Sequence, residues 1–251
     1  MIPWFQITTL NIGSVPIYIW GLFVAIGIIV ATFVAGKRAK KNGLSEERMW
    51  DLSLWAIIGA LVGGRLFEIF YQPKYFIEHP LDLIRIWDGG MSMMGGIIGS
   101  LLVGVWYLKK HKLKVLDYIE QGFYALPLGI GIGRIGCFLI HDHPGTFTNF
   151  FLGVRYLDGV RHDHGLYLSI EGFLLFALFL FIDKKKVPVG TFLILFFVID
   201  GLVRFFLDFF RATDLQVSDI RYFSLTPAQY IAVAMIIIGL VLWKKRSSPK
   251  F

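Results

Sequence analysis

Arg134 stands among glycines in the stretch GRIGCFLIHDHPG (133–145), at the end of an apolar run, and His141, Asp142 and His143 follow it. A guanidinium fork beside glycine is suited to receive a phosphate or carboxylate through paired hydrogen bonds. Asp200, Arg204, Asp208 and Arg211 recur at spacings of four, four and three residues, which on a helix makes one charged stripe. His141, His143 and His162 carry imidazoles, the side chain best suited to take up a proton under physiological conditions. Arg65, Glu68 and Glu171 add further charges in apolar surroundings. For Glu68, Glu171 and Asp200 the competing reading is an internal ion-pair ladder that ties helices together.

The elements that hold these residues follow from composition. The chain has 251 residues, 56 % of them hydrophobic and only 17 % charged, with a mean hydropathy of +0.65. A soluble domain carries nearer ~25 % charge, so the expected class is an all-α integral membrane protein. Apolar runs of spanning length, about 20 residues each, lie at 17–36, 52–71, 91–108, 122–140, 165–182, 189–210 and 226–243. Seven transmembrane helices are therefore predicted. Each arginine inside them costs roughly 2.5–3.5 kcal/mol at a bilayer centre. Arg65, Arg134 and Arg204 must accordingly face partners, water or a ligand.

Basic residues set the orientation. Lys37, Arg38, Lys40, Lys41 and Arg48 follow the first run, Lys109, Lys110, Lys112 and Lys114 the third, Lys184–Lys186 the fifth, and Lys244, Lys245, Arg246 and Lys250 the last. The positive-inside rule then predicts an N-terminus outside and a C-terminus in the cytoplasm. The first run has no basic segment before it and reads as a retained helix, not a secretory signal. The net charge of +7 is explained by the cytoplasmic membrane surface and is weak evidence for a nucleic-acid partner. The single cysteine, Cys137, excludes an internal disulfide and a cysteine-based zinc site. Residues 1–251 read as one polytopic membrane domain, with the outside loop 141–164 as a small cap.

Gly131, Gly133 and Gly136 form a GxGxxG pattern, but no strand precedes it, so dinucleotide binding is not indicated. Gly129 with Gly133, Gly59 with Gly63, and Gly95 with Gly99 show small-xxx-small spacing, which predicts close helix packing.

The stretches WDGGMSMMGG (87–96), GRIGCFLIHDHPG (133–145), RHDHGLY (161–167) and GLVRFFLDFFRATD (201–214) resemble successive motifs of the bacterial prolipoprotein diacylglyceryl transferases. Order, spacing and predicted topology are similar over nearly the full chain. The resemblance implies transfer of the diacylglyceryl group of phosphatidylglycerol to the lipobox cysteine thiol of a preprolipoprotein. A thioether forms and glycerol phosphate is released in the bacterial plasma membrane, at a site toward the outer leaflet.

By position, the resemblance makes Arg134 the headgroup arginine, puts Asp142 in place of the signature glutamate and makes Gly145 the closing glycine. Arg204, Asp208 and Arg211 match an Arg, Glu and Arg of the sixth helix. The catalytic set expected is Arg134, Asp142, Arg204, His141, His143 and His162; substrate binding is expected of Arg134, Gly145, Arg65, Asp208 and Arg211. Departures from the family pattern are Met94 for a histidine, Cys137 for an asparagine, Asp200 and Trp20 for tyrosines, and His162, Asp163, His164 and Gly165 for a His-Pro-Ser-Gln motif. Met94 can neither accept a proton nor bind a phosphate, so a loop histidine is the expected thiol base. Neither a metal nor an organic cofactor is needed by this chemistry. Two other classes compete: a phospholipid-binding or transport paralogue without catalysis, and a zinc-dependent membrane hydrolase using the repeated His-Asp-His of 141–143 and 162–164.

Overall fold

The computed structural model describes residues 1–13, 15–85, 90–215 and 218–247; Trp87, Asp88 and Gly89 of the WDGGMSMMGG motif, and Lys250, lie outside the described residues. The chain is mostly helical. Its helices are α1 (Ile19–Lys41), α2 (Glu46–Tyr71), α3 (Pro73–Glu78), α4 (Met93–Lys110), α5 (Val115–Ile140), α6 (His164–Asp183), α7 (Thr191–Leu207) and α8 (Pro227–Ser247). Among the described residues, five helices are long and apolar enough to cross a membrane: α1, α2, α5, α6 and α8. α4 and α7, at 18 and 17 residues, are shorter. The helix ends carry the expected signals. Ser45 caps α2 by accepting the Arg48 amide at 3.2 Å, and Asp163 caps α6 by accepting the Leu166 amide at 2.9 Å. Basic residues occupy the last turns of α1 and α8, where they complement the helix dipole.

The chain forms two compact units, 35–119 and 1–34 with 120–251. In the unit 35–119, α2 packs on α4 through glycine. A methyl group added at Gly59 would lie 2.5 Å from the Gly99 carbonyl oxygen, so only hydrogen there permits the backbones to meet. Tyr107 of α4 donates to Asp51 of α2 at 2.8 Å and accepts from Arg48 at 3.2 Å, closing the same interface at its other end.

In the unit 1–34 with 120–251, α1 meets α5 at Gly27, where a methyl group would lie 2.5 Å from the Gly129 oxygen. α5 meets α6 at Gly131 and Gly172, and Ser169 of α6 donates to the Gly131 carbonyl at 2.8 Å. Glu120 of α5, buried, accepts the amides of Phe192 at 2.9 Å and Leu193 at 3.2 Å. A carboxylate thus satisfies the free donors at the start of α7.

Strands add to the helical class. β1 (Thr9–Ile12) and β2 (Val15–Tyr18) form a hairpin. β3 (Pro144–Phe147), β4 (Val154–Tyr156) and β5 (Gly159–Asp163) form an antiparallel sheet in the order β3-β5-β4. Residue Ile2 bridges to Val154 at the outer edge: its amide donates to Gly153 at 2.8 Å and its carbonyl accepts from Arg155 at 3.0 Å.

Candidate functional site

Arg134 on α5 and Arg204 on α7 form the centre of the site. Arg134 is partly buried and Nη1 donates to Cys137 Sγ at 3.8 Å, its one hydrogen bond to a described residue. Arg204 Nε donates to Asp200 Oδ2 at 3.0 Å, one helical turn back. Asp200 is buried, and its Oδ1 has no hydrogen-bond partner among the described residues. Arg134 lies within electrostatic reach of Arg204, Asp142 and Asp200. Two guanidiniums held near each other repel, and an anion between them turns that repulsion into attraction. The fold therefore brings together three of the predicted catalytic residues, Arg134, Asp142 and Arg204, in one unit.

The predicted charged stripe does not continue past Leu207. Asp208 lies in a 3₁₀ turn (Asp208–Phe210), and Arg211 is extended. The physical reason is a backbone bridge between Arg211 and Gly145 of β3, which draws the chain out of the helix. Asp208 accepts the Thr226 hydroxyl, and Thr226 starts α8 through its bonds with Gln229. Arg211 Nε pairs with Asp219 Oδ2 at 2.5 Å. Gly145 is buried where three chain segments converge: a methyl group would lie 2.5 Å from the Phe210 oxygen and 2.7 Å from His162 Cβ. In this structure Gly145, Asp208 and Arg211 thus hold the fold around the site. Arg65, predicted to bind substrate, sits in the other unit. Its Nη1 donates to the Gly90 carbonyl at 2.7 Å and Nη2 to those of Asp82 at 2.5 Å and Arg85 at 3.0 Å, so its fork clamps a loop.

The three histidines differ. His141 is fully enclosed: Nδ1 is 2.7 Å from Asp163 Oδ2, and Trp4 stacks on the ring at 4.8 Å. Tyr156 donates to the same carboxylate oxygen at 2.7 Å. Burial first, and Asp163 second, push the Tyr156 phenol above its ordinary range. His143 Nδ1 lies 2.8 Å from Asp142 Oδ1, and both side chains reach solvent. His162 Nδ1 is 2.8 Å from the Tyr167 hydroxyl, and burial holds its pKa below the usual imidazole value. Among the described residues, no three His, Cys, Asp or Glu side chains form a group able to hold a metal ion.

Sequence reasoning passed over Arg161. It is buried and donates to Asp158 at 2.6 Å, to both Asp214 oxygens at 3.1 and 2.5 Å, and to the Gly145 carbonyl at 3.0 Å. The guanidinium lies 3.8 Å over the Phe147 ring. Its hydrogen bonds hold Asp158 and Asp214 below the usual carboxylate range. The available signal was Asp158 at i−3 on the same short loop.

Long apolar helices with a small sheet mark a helical membrane protein, and Arg134 and Arg204 are its candidate anion-binding pair. The family model described as prolipoprotein diacylglyceryl transferase matches residues 7–244. A phosphatidylglycerol--prolipoprotein diacylglyceryl transferase of Pseudoalteromonas atlantica is 34 % identical over 94 % of this chain and 88 % of its own length. Relatives of the same name from Oleidesulfovibrio alaskensis and Nitrosomonas europaea are 32 % and 31 % identical, over 96 % and 99 % of this chain and 92 % and 93 % of their own. The chain belongs to the prolipoprotein diacylglyceryl transferase family.

Proposed function

We propose that the protein transfers the diacylglyceryl group of phosphatidylglycerol to the lipobox cysteine of a preprolipoprotein, forming a thioether and releasing glycerol phosphate. Family membership and the names of its relatives support the reaction. The observation that carries the reading is the pair Arg134 and Arg204, close enough to repel and with donors left open. Such a pair suits a phosphodiester, whose leaving oxygen gains charge as the bond to glycerol C3 breaks.

The thiol, with an unperturbed pKa of about 8.5, reacts as thiolate. Sulfur attacks C3, the carbon–oxygen bond breaks toward phosphate, and Arg134 and Arg204 hold the departing group. Asp142 adds a negative charge within electrostatic reach of Arg134, while Gly145, Asp208 and Arg211 keep β3 and the end of α7 in place. Arg65 orders its own loop in the unit 35–119. The thiol proton leaves on the loop side, where His143 and His162 can take it up; enclosed His141 supports the sheet through Asp163. A variant lacking all three histidines at full activity would remove this role.

Seven membrane spans, an N-terminus outside, a cytoplasmic C-terminus and a site at the outer leaflet of a bacterial inner membrane complete the proposal, supported by the basic runs at alternate connections. Residues 141–164 serve as the cap of a single polytopic domain. Surrounding lipids are partners and nucleic acid is not. The test is incubation of the purified protein with phosphatidylglycerol and a lipobox peptide, following peptide mass. Gain of a diacylglyceryl group, lost in Arg134→Ala, is expected. Lipid binding that depends on Arg134 without any gain would assign the chain to a non-catalytic phospholipid-binding paralogue.

A further inference from the structure

An apolar groove of about 400 Å³ runs between α6 and α7, lined by residues that include Tyr167, Glu171, Leu174, Leu178, Val203 and Leu207. From Tyr167 to Leu178 it extends about 16 Å at 1.5 Å per helical residue. Leu174 is 66 % exposed, so the groove opens on the surface that an apolar chain in the bilayer would meet. One polar group interrupts the wall. Glu171 is 9 % exposed, and its Oε1 is buried without a hydrogen-bond partner among the described residues.

A buried carboxyl oxygen without a protein partner is costly, and a ligand, a water or a reaction at the site accounts for its being kept. The occupant that completes this groove must be apolar along its length and bring one hydrogen-bond donor. A fatty acyl chain has no donor. An apolar peptide segment carrying a cysteine has both backbone N–H groups and an S–H. Glu171 also lies within electrostatic reach of Arg204 and Asp200, which places a donor held there beside the anion site.

We propose that the groove between α6 and α7 takes the thiol-bearing apolar segment of the acceptor, and that Glu171 accepts the thiol proton there. The inference rests on the transferase reading above. In the step, the S–H bond breaks and its proton moves to the Glu171 carboxylate as sulfur bonds to glycerol C3. The C3–O bond breaks with its electron pair going to the phosphate oxygen. The proton then leaves for the loop side, where His143 and His162 can take it up, and the carboxylate is restored. The charged and titratable groups facing Glu171 are Asp200 and Arg204 on α7, with Tyr167 one turn away on α6 and Arg134 on α5 linked through Asp200.

The test uses the full-length protein in phosphatidylglycerol micelles with two lipobox peptides, one with cysteine and one with selenocysteine. The selenol is already ionised at neutral pH and needs no base. Glu171→Gln should lower kcat/KM for the cysteine peptide about 10²- to 10⁴-fold while the selenocysteine peptide stays within about tenfold of its rate on the unsubstituted protein. Raising the pH toward the thiol's own value should recover part of the loss. Equal loss with both peptides, or no loss with either, overturns the role of Glu171. Should Glu171→Gln fail to bind lipid, Glu171→Met, which also lacks the proton acceptor and is close to it in volume, carries the same comparison. The occupant is tested by equilibrium binding alone. Leu178→Trp, which fills the groove, should weaken peptide binding about tenfold or more and leave phosphatidylglycerol binding within about twofold. Weakened lipid binding with unchanged peptide binding would overturn the assignment in favour of an acyl chain. Absence of turnover in the unsubstituted protein refutes the transferase reading separately, because the binding comparison remains readable.

Discussion

Replacement of Arg161 by methionine should open the three-stranded sheet without unfolding the helices. The side chain is buried, and its Nη1 is bonded at 3.0 Å to the carbonyl of Gly145, itself buried. Leaving that carbonyl without a donor costs about 1–3 kcal/mol. The stack over Phe147 at 3.8 Å adds about 1–2 kcal/mol, of which a methionine contact recovers part. Asp158 and Asp214 are 48 % and 44 % exposed, so they regain water and contribute little more. About 2–4 kcal/mol remains. The sheet is small, with strands of three to five residues, and a loss of that size is a large share of its local stability. Hydrogen exchange in detergent should therefore accelerate about 30- to 700-fold at the β5 amides and at Thr148, which donates to Val160, with α5 to α8 unchanged. Arg161→Lys keeps the charge but loses the fork, and should fall between. Unchanged exchange at Thr148 and β5 in Arg161→Met, or acceleration spread evenly over the helices, would refute the reasoning.

Other perturbations reach other parts of the molecule. Arg204→Ala should lower transferase kcat about 10²- to 10³-fold, the range seen when one preorganised donor is removed; circular dichroism should be unchanged, since only the i,i+4 pair with Asp200 is lost. Gly59→Val should destabilise the unit 35–119 by about 1–3 kcal/mol or more through overpacking against Gly99 and Val103, read by thermal unfolding in detergent. Asp158 and Asp214 have folded pKa values below their unfolded ones. Their stabilisation is thus present above the unfolded value of about 4 and lost as pH falls through the folded ones. Acid unfolding of the sheet should show this dependence in the native protein and lack it in Arg161→Met. His162, lowered by burial, should titrate below about 6.5 by NMR, so it is neutral at physiological pH; a value above that would exclude it as a proton acceptor held neutral by burial.

The spanning helices were legible because they are long and uniformly apolar; their caps, Ser45 and Asp163 among them, emerge only from the structure. Glycine spacing announced the α2–α4 contact, since small residues four apart on one face have one common use in a membrane. The sheet was not legible. Its strands are too short for an alternating pattern, and β4 and β5 are held by partners distant in sequence, Ile2 and Gly145 among them. The end of α7 failed for a related reason: Asp208 and Arg211 continue a helical spacing, and only the pairing of Arg211 with Gly145 ends the helix first.

The site was legible in part, and the division has a physical rule. Charge in an apolar chain marks every place where a guanidinium or carboxyl must find a partner, so the sequence flagged Arg65, Arg134, Arg204 and Arg211 alike. What separates them is how far the fold itself engages the fork. Loop carbonyls occupy both terminal nitrogens of Arg65, and Asp219 and Asp208 engage Arg211. Arg134 has a weak sulfur acceptor and Arg204 a single carboxylate oxygen. The carbonyls that hold Arg65, and Asp219 beside Arg211, come from outside the α-helices, at positions that no local pattern encodes. The same rule singles out Glu171 over Glu68: Glu68 accepts from Gln72 at 3.2 Å, whereas Glu171 keeps an oxygen open on the groove wall. A charge left open by its own fold is the one a substrate can complete.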